Sequence, residues 1–188
     1  MSQDLPAGTE GGGEELPLPF QAFFMLHHQA YLDYARAQLS LSEDEQITEL
    51  VEDVFTELAY RWEEVMTSQD PAAYAWRMLR FIVEEERRHR GEALVLIERA
   101  VFMVAANRVT RPVFDALEDG LGIYREIARL PERQYDALLF NQILGYSTAQ
   151  TAAVMGIKAS TVRVLVHQVH EKFRRHHPLA AAPDLEEE

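Results

Sequence analysis

Between Gly145 and His170 the chain carries two short helical signals separated by a glycine, and that punctuation constrains the fold more than any other stretch. Ser147 and Gln150 form a Ser-x-x-Gln capping box. The Ser147 hydroxyl takes the Gln150 amide N–H, and the Gln150 side chain reaches back. The helix they open runs to Met155, with small Ala152 and Ala153 where a second helix must approach closely. Gly156 supplies the left-handed residue that ends it, and Ile157 plugs the turn. A second helix starts near Ser160 and buries Val162, Val166, Val169 and Phe173, a helical spacing. Helix, tight turn, helix is the helix-turn-helix motif, whose second helix enters the DNA major groove in proteins that read DNA.

Charge tests that expectation. The 188 residues carry a formal net charge of −13, and a free acidic protein is repelled by phosphates. The charge is unevenly spread. Residues 1–19 carry −4, residues 20–90 carry −7, residues 91–130 carry −1 and the last segment, 178–188, carries −4. Residues 131–177 set Glu132, Asp136 and Glu171 against Arg133, Lys158, Arg163, Lys172, Arg174 and Arg175, giving +3. The helix-turn-helix is the only net-positive block. An apolar fraction of 47% is that of a globular protein, and with no cysteine there is no disulfide framework and no thiolate metal site. No apolar run approaches the roughly 18–20 residues that span a bilayer, so no membrane segment is expected and the chain reads as cytoplasmic.

The remaining segments read as helices. Residues 1–19, rich in Gly, Pro and acids, are expected to be a disordered tail. A helix from near Phe20 to near Ala37 carries an aromatic face of Phe20, Phe23, Phe24, Tyr31 and Tyr34. The adjacent His27 and His28 point apart on a helix and cannot chelate one ion together. Ser42 and Glu45 form a second capping box before the stripe Ile47, Leu50, Val51, Val54, Phe55, Leu58 and Trp62. The opposite face carries Glu45, Glu49, Glu52, Asp53 and Glu57. Asp70 and Pro71 start a third helix, expected to bury Ala75, Met78, Leu79 and Ile82 and to leave Tyr74, Trp76 and Phe81 for other contacts. It ends in Glu84–Glu86 and then Arg87, Arg88, His89 and Arg90, where basic residues suit the helix dipole. Residues 91–129 form a partly helical connector, 130–177 the helix-turn-helix domain and 178–188 an acidic tail. With no strand pattern, the fold class is all-α, two small helical domains.

Two sets of motifs, in this order and at this separation, resemble the small two-domain sigma factors of the extracytoplasmic-function group of the sigma-70 family. Residues 20–90 resemble region two: Glu49-Leu50-Val51-Glu52-Asp53-Val54-Phe55 stands where the family has an acidic helix of pattern D-L-V-Q-E-V-F, and Trp62 and Asp70-Pro71-Ala72-Ala73-Tyr74 also fit. Residues 130–175 resemble region four through Leu130-Pro131-Glu132-Arg133-Gln134, Leu144-Gly145-Tyr146-Ser147, Met155-Gly156-Ile157 and Thr161-Val162-Arg163. The resemblance implies an alternative sigma factor that binds core RNA polymerase, contacts the promoter −35 element with the region-four helix (160–173 here), and melts and captures the −10 element with region two. It implies polymerase docking through Glu49, Glu52 and Asp53. It implies DNA contact through Trp76, Arg77, Arg80, Arg87, Arg88 and Arg90 in region two, and through Lys158, Thr161, Arg163, His167, Gln168, Arg174 and Arg175 in region four. An anti-sigma factor is a further implied partner. No enzymatic activity, cofactor or metal is expected.

The chain departs from the family on its DNA-facing sides. The family's recognition helix usually runs T-V-K-S-R-L-H-R-A-R-R. Here Val164, Leu165, Gln168, His170 and Glu171 replace usual polar or basic residues. In region two Phe81 stands where the family often has Asn, and Glu84–Glu86 precede the basic run. Two readings therefore stand: a promoter-reading sigma factor, or a sigma-like interaction protein that binds polymerase or an anti-sigma partner with weak or no promoter reading.

Overall fold

The computed structural model describes residues 16–39, 44–90, 127 and 129–176, without the side chains of Arg174 and His176. The acidic segment before residue 16, the Ser42 capping box, nearly all of the 91–129 connector, the Arg174 side chain and the 178–188 tail lie outside the described residues. The described elements are seven α-helices and one π-helical turn, with no strand among the described residues, so the chain is all-α. They are α1 (Leu18–Gln38), α2 (Asp44–Tyr60), α3 (Trp62–Thr67), α4 (Pro71–His89), α5 (Glu132–Leu138), the π turn (Leu139–Ile143), α6 (Thr148–Met155) and α7 (Ala159–His176). Two compact units divide the chain, 1–93 with 154–156, and 94–153 with 157–188.

In the first unit α1 packs on α2 and α4, and α4 also meets α2 and α3. Helix α1 begins at Leu18, slightly before Phe20, because Pro19 falls in the first turn, where no N–H is needed. Its aromatic face is the core. Phe20, Phe24, Tyr31 and Tyr34 are buried. Phe24 meets Phe55 edge-on at 4.7 Å between ring centroids, and Tyr31 stacks on Phe55 at 5.2 Å. Such pairs add about 1 kcal/mol each beyond area burial. The apolar stripe of α2 is buried through Ile47, Val51, Val54, Phe55 and Leu58, with Leu50 half-buried at its margin.

Two details differ from the sequence expectation. The α2 stripe was expected to run unbroken to Trp62, but the helix stops at Tyr60. Arg61 leaves helical geometry (φ −100°, ψ 16°) and restarts the chain as α3, while its amide N–H still reaches the Glu57 carbonyl at 3.1 Å. Trp62 enters the core from α3 instead, edge-on to Phe20 at 5.1 Å. The second difference is the phase of α4. Its buried face is Ala75, Trp76, Leu79 and Val83, while Met78 and Ile82 are half-buried. Apolar residues occur nearly all round α4, so their spacing alone leaves the phase open. The start of α4 is as read: Asp70 Oδ1 accepts the Ala73 N–H at 3.0 Å, and Pro71 takes the first helical position.

In the second unit α5 packs on α7. Their shared core is Ile127, Leu138 and Val169, flanked by Leu130, Tyr135, Ile143 and Phe173. Pro131 stands at the start of α5 without a side-chain cap, and α5 passes directly into the π turn. There the Leu144 N–H reaches the Leu139 carbonyl at 2.9 Å, one residue further than an α-helix allows. The five consecutive residues from Asp136 to Phe140 are buried, spanning the junction of α5 and the π turn.

Candidate nucleic-acid interface

The helix-turn-helix is built by the caps read from its sequence. Ser147 N–H donates to Gln150 Oε1 at 2.9 Å, and Gln150 N–H to Ser147 Oγ at 3.3 Å, so the capping box closes in both directions. Gly156 ends α6 at φ +61°, a backbone angle that favours glycine. Ala152 is buried, whereas its neighbour Ala153 is exposed, so only one of the two small residues serves close packing. A second left-handed glycine, Gly145 at φ +75°, turns the chain out of the π segment toward Ser147. Asn141 Nδ2 donates to the Tyr146 carbonyl at 3.0 Å and holds that turn closed.

Helix α7 buries Val162 and Val169 completely, with Val166 and Phe173 half-buried beside them. The opposite face presents Ser160, Arg163, Val164 and His167 to solvent. Lys158 is exposed just ahead of α7, and Thr161 is half-buried. Gln168 is exposed but engaged: its Oε1 accepts from Gln134 Nε2 at 2.9 Å, and the other end of the Gln134 amide accepts from Lys172 Nζ at 2.8 Å. Gln134 was not singled out by the sequence as a site residue. Its role rests on a contact between helices that no local spacing reveals. Arg175 is exposed, 3.8 Å from Glu171. Leu165, expected on the outward face with Val164, is half-buried, so the exposed apolar feature narrows to Val164.

The region-two candidates on α4 are arranged differently. Trp76 is 4% exposed, edge-on to Tyr34 at 4.6 Å, and its ring is spent on the core. The resemblance implies a DNA contact for Trp76; here the phase of α4 turns its ring inward. Arg77 is exposed and lines a shallow groove of about 430 Å³ with Glu57, Arg61, Tyr74, Met78, Phe81 and Ile82. Arg61 in that groove pairs with Glu57 one turn back; it was not among the sequence candidates. Arg80 is half-buried. The terminal arginines are matched to the three glutamates. Arg87 holds Glu84 through contacts at 2.7, 2.8 and 3.0 Å, Arg88 reaches Glu85 at 2.5 Å and Glu84 at 3.1 Å, and Arg90 reaches Glu86 at 2.5 Å. The end of α4 is therefore a nearly neutral lattice of i,i+3 and i,i+4 pairs rather than a free cationic surface.

On α2, Glu49 and Asp53 are exposed one turn apart, while Glu52 is half-buried. Glu52 acts on His28: burial pushes the imidazole below its ordinary pKa, Glu52 opposes that shift, and Arg36 adds to it. The exposed acidic strip is thus Asp44, Glu45, Glu49 and Asp53. Asp44 also receives Arg36 Nε at 3.0 Å.

With this geometry in place, the comparisons agree with the second unit. Residues 121–172 match the family model described as Sigma-70, region 4. The helix-turn-helix is therefore a sigma-70 region-four domain, the DNA-binding domain typical of extracytoplasmic-function sigma factors. That family consists of non-enzymatic transcription factors, and the domain implies RNA polymerase and promoter DNA as partners. No curated protein matches the chain. No helix among the described residues is long and apolar enough to cross a membrane.

Proposed function

We propose that the chain is an alternative sigma factor that directs promoter-specific transcription initiation in the cytoplasm. The observation that carries this reading is the helix-turn-helix matched to region four, preceded in the same chain by a helical unit whose α2 is buried on an apolar face and exposed on an acidic one. In this reading residues 20–90 serve as region two, 91–129 as connector and 130–177 as region four. The acidic helix around Glu49–Phe55 docks on basic polymerase surface, where Glu49 and Asp53 form charge-assisted hydrogen bonds with Arg or Lys. The helix 160–173 contacts the −35 element, with Lys158 and Arg163 neutralising phosphates or gripping guanine. Polymerase supplies much of the DNA affinity, so the acidic free chain needs little of its own. Run-off transcription with purified core polymerase and a genomic promoter library tests this. Specific initiation from a subset of promoters is expected, and no initiation from any fragment overturns it.

The arginine–glutamate lattice at the end of α4 and the buried Trp76 favour a second reading. In it the chain binds polymerase or an anti-sigma partner and reads promoters weakly or not at all. Co-purification with core polymerase without promoter-specific initiation is its signature.

A further inference from the structure

Val164 stands on the outward face of α7, one turn into the helix, 53% exposed. Among the described residues of the second unit it is the one large apolar side chain exposed to that degree. Its neighbours on the face are Ser160 one turn before and His167 one turn after, with Arg163 beside it. Gln168, the next polar group along the face, is held by Gln134. A recognition helix meets base edges with its N-terminal residues, and this is where Val164 lies. Valine neither donates nor accepts a hydrogen bond. Of the groups base pairs display in the major groove, the one it complements is the 5-methyl of thymine. The β-branch also holds both methyls of Val164 in one preferred rotamer on a helix, so little freedom is lost on contact.

We propose that Val164 is a specificity-determining residue that reads a thymine 5-methyl group in the −35 element, while Arg163 supplies the adjacent polar anchor. This deepens the promoter-reading function above and rests on it. Positive charge makes duplex DNA the fitting occupant of this face, because residues 131–177 are the net-positive block of an otherwise acidic chain. Arg163 is exposed, with no carboxylate among the described residues paired to it.

The test uses the full chain with core polymerase. Duplexes are selected from a library randomised upstream of the start site, and each thymine of the winning −35 sequence is then replaced by deoxyuridine. That exchange removes one methyl and keeps every hydrogen-bonding group. One replacement is expected to weaken wild-type binding about fourfold, the effect of one lost apolar carbon contact. Val164→Ala, a substitution favourable to an exposed helix, is expected to bind the thymine and uracil duplexes equally, with unchanged helical circular dichroism. Arg163→Ala is expected to weaken both duplexes and keep their ratio. Equal wild-type binding of thymine and uracil at every position overturns the assignment while leaving promoter reading intact. So does a ratio preserved in Val164→Ala. Enrichment of no sequence at all overturns promoter reading, and this assignment with it.

Discussion

Gln134 Nε2 donates to Gln168 Oε1 at 2.9 Å, across the junction of α5 and α7. The contact holds a recognition-helix side chain for which the family resemblance implies a DNA contact. With Lys172 on the other end of the same amide, α7 is braced against α5 by three polar side chains outside the apolar core of Leu138 and Val169. The first bond is exposed and the second half-buried, and each is worth about 1 kcal/mol.

Gln168→Ala is therefore expected to lower stability by at most about 1 kcal/mol and to change DNA affinity little. Arg163→Ala is expected to leave stability unchanged. It should lower DNA affinity and reduce the slope of log K against log salt by about 0.9, if the guanidinium neutralises one phosphate. Salt titrations of both variants on one duplex separate a bracing side chain from a contacting one.

The acidic strip of α2 gives a second expectation. Glu49→Lys combined with Asp53→Lys reverses two exposed charges one turn apart without touching the core. Thermal melting should move by little. Core polymerase binding should weaken at least tenfold, the effect of turning attraction into like-charge contact. Unchanged co-purification with core polymerase would exclude this docking face.

Removing the carboxylates at the end of α4 should release its arginines and leave that end cationic. Glu84→Gln, Glu85→Gln and Glu86→Gln together remove the carboxylates that engage Arg87, Arg88 and Arg90. Single-stranded DNA affinity is expected to rise severalfold at low salt, with a steeper salt dependence. A small loss of helix stability, about 0.3–0.5 kcal/mol per lost pair, accompanies it. Unaltered DNA binding would show that this end of α4 lies off the path of DNA.

Acidity should destabilise the first unit through α1. His27 is buried, and desolvation pushes its pKa down to about 4 from an ordinary 6.5. The neutral form is favoured in the folded state, so the unfolded chain takes up the proton first. The stability this group contributes is complete above about pH 6.5 and declines as pH falls toward 4, by an amount on the order of 3 kcal/mol. His28 is shifted in the same direction. Melting temperatures from pH 7.5 to 4.5 should fall, and His27→Leu should flatten that slope. An equally steep slope in the variant would place the acid sensitivity elsewhere.

The local features were legible in the sequence because their physics is local. The Ser147–Gln150 box, the left-handed Gly156 and the Asp70 cap each depend on residues within three positions of one another. The aromatic face of α1 was legible for the same reason: its spacing matches one side of a helix. Trp76 was not, because α4 has apolar residues on almost every side and only the packing of Tyr31 and Tyr34 against it chooses the phase. The pairing of Glu84–Glu86 with Arg87, Arg88 and Arg90 is written in their i,i+3 and i,i+4 spacing, although the same run also fits a DNA-facing segment. Gln134 was beyond reach, since its partners lie 34 and 38 positions away.

The π turn at Leu139–Ile143 makes the second unit sensitive to counting. It holds one residue more than an α-helical turn would, and each helical residue rotates the downstream chain by about 100°. A chain lacking one residue there would close an ordinary turn and still bury a plausible apolar run. Everything downstream, including Gly145, the capping box and the exposed edge of α7, would then point about a quarter of a turn away. Substitutions inside this segment are a matter of volume, whereas deletions are a matter of direction.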